Sequence, residues 1–128
     1  MTNTEKITGV GAKVDIESMF AGITEQWLPH LVTRVGDYEV KAAKIQGEFV
    51  WHSHEDTDEM FLVVSGTLTI RLREGDVVLG AGELYVVPRG VEHCPAAPEE
   101  TAILLFERAG TLNTGDRGGD RTRATVGA

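Results

Sequence analysis

His52 and His54 stand one residue apart in the stretch GEFVWHSHEDTDEMFLVVSG, with Glu59 close downstream and His93 after the turn signal Pro88-Arg89-Gly90. Side chains on a β-strand alternate between faces, so His52 and His54 point one way and Ser53 the other. Two imidazoles on one face can share a metal ion. Imidazole suits Zn, Cu, Fe and Ni, and an added carboxylate widens the choice toward Fe(II) and Mn. Three neutral imidazoles and one carboxylate leave two places open on a six-coordinate ion for water, substrate or dioxygen.

The neighbouring groups read differently. His54 and Glu59 differ by an odd offset, so alternation breaks within Glu55-Asp56-Thr57-Asp58, and Asp58 competes with Glu59 for the carboxylate role. Glu55, Asp56 and Asp58 otherwise read as a solvated acidic turn able to orient the imidazoles. Ser53 and Cys94 each adjoin a candidate ligand and face away from it, which makes them packing residues. His30 has no spaced partner and reads as a surface residue. Glu48 and Tyr85 are the available acid–base candidates. Phe61 and Val63, at even offsets from Glu59, and Val91 beside His93 are expected to line an apolar interior. Lys41 and Lys44 have opposite parity, so one of them can face inward, where it would favour an anionic substrate.

The elements that must position these groups are short. WLPHLVTRV (27–35) reads as a strand, Gly36-Asp37 as a hairpin turn and YEVKAAKIQ (38–46) as its partner. EMFLVVS (59–65) is continuously apolar, as expected of a strand buried on both faces. TLTIRLR (67–73) alternates, with Leu68, Ile70 and Leu72 inward. VVLG, ELYVV (83–87), a strand around His93 and TAILLFE (101–107) follow. About eight or nine strands with almost no helix between them exclude βαβ units, whose parallel strands need long crossovers. What remains is an all-β closed barrel or two-sheet jelly roll. Residues 13–23 fit either a strand or a single helical turn. The expected division is an N-terminal arm (1–24), a barrel (25–109) and a C-terminal tail (110–128), flexible or draped over the barrel. Asn113, Arg117, Arg121 and Arg123 are the tail groups that would close over the mouth.

At 128 residues the chain is one domain's worth. A net charge of −8 repels phosphate backbones and anionic lipid, and 6% aromatic content argues against base-stacking platforms. Nucleic acid and membrane are excluded as partners. The first twenty residues lack the n- and h-regions of a secretory signal, and no apolar run approaches the ~18 residues that span a bilayer. The lone Cys94 cannot form an internal disulfide, which makes a cytoplasmic location the expectation.

From Gly47 the chain runs four residues to His52, one to His54, four to Glu59 and six to Gly66; from Gly82 it runs five to Pro88, one to Gly90 and two to His93. This order resembles the paired signature motifs of the cupin superfamily over residues 47 to 97, with the fifteen-residue separation (67–81) of compact single-domain members. There are two departures. The first Gly lies one residue nearer His52 than in the usual motif, and Ala97 occupies the closing Asn position. The resemblance implies a jelly-roll barrel, makes His52, His54, Glu59 and His93 the ligands of one divalent transition metal (Fe, Mn, Zn or Ni), and settles the carboxylate on Glu59 through its spacing to Gly66. It further implies an enzyme acting on a small organic molecule in the barrel, with oxygenase, isomerase and lyase chemistry all represented and dioxygenase ahead of isomerase. The alternative is a non-catalytic binding or sensing module; the chain carries no helix-turn-helix segment. Free sheet edges and strands such as WLPHLV suggest a homodimer.

Overall fold

A computed structural model describes residues 9–127. It contains one short helix, α1 (Ile16–Ala21), and seven strands: β1 (His30–Val35), β2 (Tyr38–Glu48), β3 (Glu59–Ser65), β4 (Leu68–Leu72), β5 (Val77–Leu79), β6 (Leu84–Val87) and β7 (His93–Arg108). All pairings between the named strands are antiparallel, with neighbours in the order β1-β2-β7-β3-β6, while β4 pairs with β7 and β5 with β4. The all-β jelly-roll expectation holds. Among the described residues, no helix is long and apolar enough to cross a membrane.

The strand count falls below the expected eight or nine because the segments around His93 and at 101–107 are one continuous strand. β7 runs 16 residues and pairs with β2 along one edge at Ala96, Ala97 and from Thr101 to Arg108, with a register shift between Ile45 and Gly47. On its other edge it pairs with β4 through His93–Ala96 and then with β3 through Ala102–Phe106. A strand that serves two neighbours in turn folds the sheet over on itself. The change of partner occurs near Thr101, which is fully buried and whose hydroxyl accepts from the Thr67 amide at 3.1 Å. Gly66 lies against Thr101 with φ +92, and a Cβ there would collide with the Thr101 side chain. That contact accounts for the glycine at the end of β3.

The core follows strand parity. Ala43 and Ile45 of β2, Phe61 and Val63 of β3, Leu68 and Ile70 of β4 and Ile103 of β7 form the interior cluster. β3 is not buried on both faces as its composition suggests. Its residues alternate, with Glu59, Phe61 and Val63 buried and Met60, Leu62 and Val64 half-buried. The outer face is apolar because α1 covers part of it: Phe20 and Ile23 join Val32, Ala42 and Ala102 in a second cluster that touches Val64. The segment 13–23 therefore resolves as a helical turn, capped by Asp15, whose carboxylate accepts from the Ser18 amide at 3.3 Å. β1 starts at His30 and not at Trp27, since Trp27 has φ +60 and is followed by Leu28-Pro29 before the ladder begins. His30 is half-buried rather than fully exposed.

Residues beyond β7 pack along the barrel. The Leu31 amide donates to Val126 O at 2.9 Å and the Val126 amide to Pro29 O at 2.9 Å. Asp116 clasps Ser53 from both sides: its amide donates to Ser53 O at 2.9 Å and its carboxylate accepts from the Ser53 amide at 2.7 Å. Gly115 makes this approach possible. It has φ +54, and a Cβ there would strike the Ser53 carbonyl. Gly115→Ala is expected to cost about 2 kcal/mol and to release this segment. Amide exchange across residues 111–126 should rise while β2, β3 and β7 keep their protection; unchanged exchange there would show that the clasp does not hold the segment.

Candidate metal centre and cavity

His52 and His93 are fastened to each other by their backbones. The His52 amide donates to His93 O at 3.0 Å and the His93 amide to His52 O at 2.9 Å. A pair that exchanges both bonds places its side chains on one face of the ladder, and the two ring centroids lie 4.3 Å apart. The rings are turned the same way by the same local device: His52 Nδ1 lies 2.8 Å from Val50 O, and His93 Nδ1 lies 2.9 Å from Val91 O. A carbonyl accepts only from N–H, so each Nδ1 carries the proton and each Nε2 keeps its lone pair.

His54 and Glu59 complete the group. His54 sits beyond the bridge, its carbonyl accepting from the Gly90 amide at 2.8 Å, and Glu59 opens β3 opposite Val87. Glu59 Oε1 is 3.1 Å from His93 Nε2 and 3.2 Å from His54 Nε2. The four residues are buried, and their donor atoms all lie within 4.8 Å of one another. A central ion with bonds of ~2.1 Å spans roughly 4.2 Å between opposed donors, so a small inward shift suffices. The His54 Nε2 is buried with no hydrogen-bond partner among the described residues. Such an atom, inside a ring of donors that already includes a carboxylate, fits a cation.

The electrostatics favour the same arrangement. Burial, followed by the neighbouring His93, lowers the His52 pKa from 6.5 to about 4, so its ring stays neutral well into acid. Burial alone would raise the Glu59 carboxyl, but a hydrogen bond with Glu107, and then the adjoining His54 and His93 rings, hold it well below the usual range. Glu107 moves the other way, pushed well above the usual range by burial first and then by the Glu59 charge, with Lys41 opposing.

Glu107 was not among the sequence candidates, yet it lines the same cavity as His52 and Glu59. The signal was available in parity, since Glu107 shares its face of β7 with Ile103 and Leu105. Lys41 is the inward lysine, only 1% exposed, while Lys44 is half-buried on the opposite face. Its ammonium donates to Glu107 Oε2 at 2.9 Å and lies 3.7 Å from Glu39 Oε1, and Glu39 pairs in turn with Arg34 at 3.0 Å. The inward lysine is thus already partnered by carboxylates.

Several expectations move. Asp58 turns away and accepts from the Arg89 amide at 2.9 Å, and Glu55 accepts from the Ser53 hydroxyl at 3.1 Å. Glu48 pairs with Arg71 at the surface, and Tyr85 packs against the core outside the cavity, so neither reaches the cluster. Val91 is 36% exposed because its backbone carbonyl, not its side chain, turns toward the His93 ring. Phe61 does face the cluster, 6.0 Å from His93. Cys94 is fully buried and its thiol is pushed up by that burial, as suits a packing residue.

The cavity beside the cluster has a volume of about 40 Å³ and is walled by Trp27, Phe49, Phe61, Ile103 and Leu105. That is space on the order of three waters. At its rim Trp27 stacks on Phe49 with centroids 4.8 Å apart, and the Arg121 guanidinium lies 4.9 Å from the Phe49 ring. Asn113 forms part of the wall, whereas Arg123 reaches Glu25 at 3.6 Å.

His52 generates a stability prediction for metal-free protein. Between pH 6.5 and about 4 the unfolded chain binds a proton that the folded ring refuses. Stability therefore falls as pH drops through that window, with His52 accounting for about 3 kcal/mol at its lower end. Unfolding free energies measured in chelator should show this slope as the difference between wild type and His52→Gln. Parallel profiles for the two would contradict it.

A family model described as Cupin domain matches residues 38–107. A solved structure of a cupin-2 domain containing protein from Shewanella frigidimarina superposes with a TM-score of 0.73 at 44% identity, covering 74% of this chain and 93% of that one. The uncharacterized protein YdbB of Bacillus subtilis is 36% identical over 77 residues, 59% of this chain and 68% of YdbB. Similarity also extends to 3-hydroxyanthranilate 3,4-dioxygenase 2 of Aspergillus fumigatus, 28% identical over 87 residues, with the match covering 63% of this chain and 45% of the fungal enzyme.

Proposed function

The chain belongs to the cupin family, and on that footing we propose that it holds one divalent transition metal through His52, His54, Glu59 and His93 and acts as an enzyme on a small, partly apolar organic molecule. The observation that carries this reading is the donor set: buried imidazoles, two of them with their Nε2 lone pairs freed by Nδ1–H bonds to backbone carbonyls, beside a carboxylate held as an anion within 4.8 Å. Oxygenase chemistry is the favoured direction, supported by the similarity to a 3-hydroxyanthranilate dioxygenase over 63% of the chain. When bound, a metal at this position would polarise an oxygen of the substrate and, if redox-active, support chemistry with dioxygen.

The chain's own residues do the rest. Val50 O and Val91 O fix the ring orientation of two ligands, and the His52–His93 bridge fixes their separation. Phe61 and Leu105 exclude bulk water from the cluster and offer an apolar surface to the body of the substrate. The small volume of the cavity favours a second reading, a non-catalytic module that binds a compact ligand. Metal identity in protein purified without added metal or chelator bears on both. Iron supports oxygen chemistry, and zinc or nickel supports a Lewis-acid isomerase or lyase.

The ligand assignment has a direct test. One metal ion per chain is expected in wild type, with a shift in stability of about 2.7 kcal/mol when free metal stands at a hundred times its Kd. His52→Ala and His93→Ala should each weaken binding more than about a hundredfold, since losing a donor exceeds the effect of losing its outer partner. Stoichiometric metal in the double variant would refute the assignment.

We also propose that the protein is a homodimer. β6 ends the sheet and exposes Leu84 by 55% and Val86 by 44%, whereas β1 at the other end is bridged in part by Val126. Sedimentation at micromolar concentration should give twice the chain mass, with Leu84→Lys/Val86→Lys shifting it to one chain. A wild-type mass of a single chain would reject the dimer.

A further inference from the structure

The three imidazoles of the cluster are not held alike. His52 and His93 are fixed by their mutual backbone bridge and by the approach of each Nδ1 to a carbonyl, Val50 O and Val91 O. His54 has neither anchor among the described residues. The chain leaving it is tied down, since its carbonyl accepts from the Gly90 amide at 2.8 Å. Its Nδ1 faces the turn at Gly115, where a Cβ would come within 3.0 Å of that nitrogen.

The chain entering His54 is held from the other edge. In an extended segment the N–H and C=O of successive residues point to opposite edges, so while His52 directs its pair to His93, Ser53 must find partners away from β7. Ser53 is only 4% exposed, and among the described residues no strand pairs with it. Two buried backbone groups would therefore go unsatisfied. Asp116 stands where that strand would run: its amide donates to Ser53 O at 2.9 Å and its carboxylate accepts from the Ser53 amide at 2.7 Å. The turn that carries Asp116 is anchored independently of the cluster. Within it the Gly115 amide donates to Leu112 O at 3.0 Å and the Arg117 amide to Thr114 O at 3.0 Å, and Thr114 is fully buried. Glycine at 115 lets this backbone lie against Ser53 and His54 at once.

We infer that Asp116 is a positioning residue of the metal centre: by clasping Ser53 it aims His54 at the ion, and the turn that carries it docks more tightly once the ion is bound. This deepens the metal reading above and rests on it. His54 is the ligand on which the clasp acts, because His52 and His93 keep their own anchors when the turn lifts away. Coupling of this kind is reciprocal, so whatever factor the docked turn adds to metal affinity, the metal adds to docking.

The test uses the full chain loaded with cobalt, with affinity read by chelator competition and geometry by ligand-field absorption. Asp116→Ala should weaken cobalt binding roughly tenfold to a hundredfold, the usual effect of losing a partner that orients a ligand. Its absorption bands should move to those of His54→Ala. Asp116→Asn keeps an acceptor oxygen and the backbone N–H, and should bind within about threefold of wild type. His54→Ala/Asp116→Ala should bind cobalt within roughly twofold of His54→Ala alone, since the clasp has no ligand left to aim. In wild type, cobalt should slow hydrogen exchange at the Ser53 and Asp116 amides roughly tenfold beyond any change in β1, a measurement that needs no variant to fold. Wild-type affinity and absorption in Asp116→Ala, Asp116→Asn behaving as Asp116→Ala, additive losses in the double variant, or exchange at Ser53 and Asp116 indifferent to cobalt would each overturn the role of Asp116 and leave the ligand set standing. A wild type that holds no cobalt would overturn the metal reading itself, and this inference with it.

Discussion

The reciprocal hydrogen bonds between His52 and His93 are the constraint on which the site depends. They join a loop that precedes β3 to the first residue of β7, and they do so with backbone groups that would otherwise be unsatisfied in the interior. Side-chain direction in a ladder follows from pairing, so the two imidazoles converge without any special strain. His54 and Glu59 are then placed relative to this bridge by short connections. Loss of the bridge would separate the ligands and open the sheet at the same point.

Much of this was legible in the residues. The spacing of His52, His54, Glu59 and His93 with Gly66, Gly82, Pro88 and Gly90 identified the family, and the close succession of apolar runs and turn residues identified an all-β architecture. Local signals failed where partners come from elsewhere. β3 looked buried on both faces because α1, a distant element, covers part of its outer side. β7 looked like two strands because Pro95, Pro98, Glu99 and Glu100 resemble a break, yet pairing with β2 on one edge and then β4 and β3 on the other keeps it extended. The choice between Asp58 and Glu59 needed the motif spacing, since parity alone fails across an acidic turn. Glu107 and Glu39 were overlooked although their parity with Ile103, Leu105, Ala43 and Ile45 placed them inward.

Those inward charges form a line from the surface to the cavity: Arg34, Glu39, Lys41 and Glu107 in order. Ion pairs of this kind contribute little net stability, because the desolvation of each charge offsets most of the attraction. A small barrel that could have filled these positions with leucine or valine instead keeps four ionisable groups there. Departures of this sort from an apolar interior concentrate where a molecule does its work. The line ends at the one cavity wall that also carries Glu59, so its orienting effect is delivered beside the candidate ligands and not in the body of the core.

The continuity of β7 has a consequence for how the molecule is assembled. β7 pairs with β2, β3 and β4, all of which precede it in the chain. Until it emerges during synthesis, those strands expose edges that cannot satisfy one another, and contacts so distant in sequence form slowly. His52, His54 and Glu59 are translated during this waiting period, whereas His93 arrives as the first residue of the closing strand. The donor set is therefore completed in the same step that seals the barrel, and a nascent chain lacking β7 presents a partial chelate on an unfinished sheet.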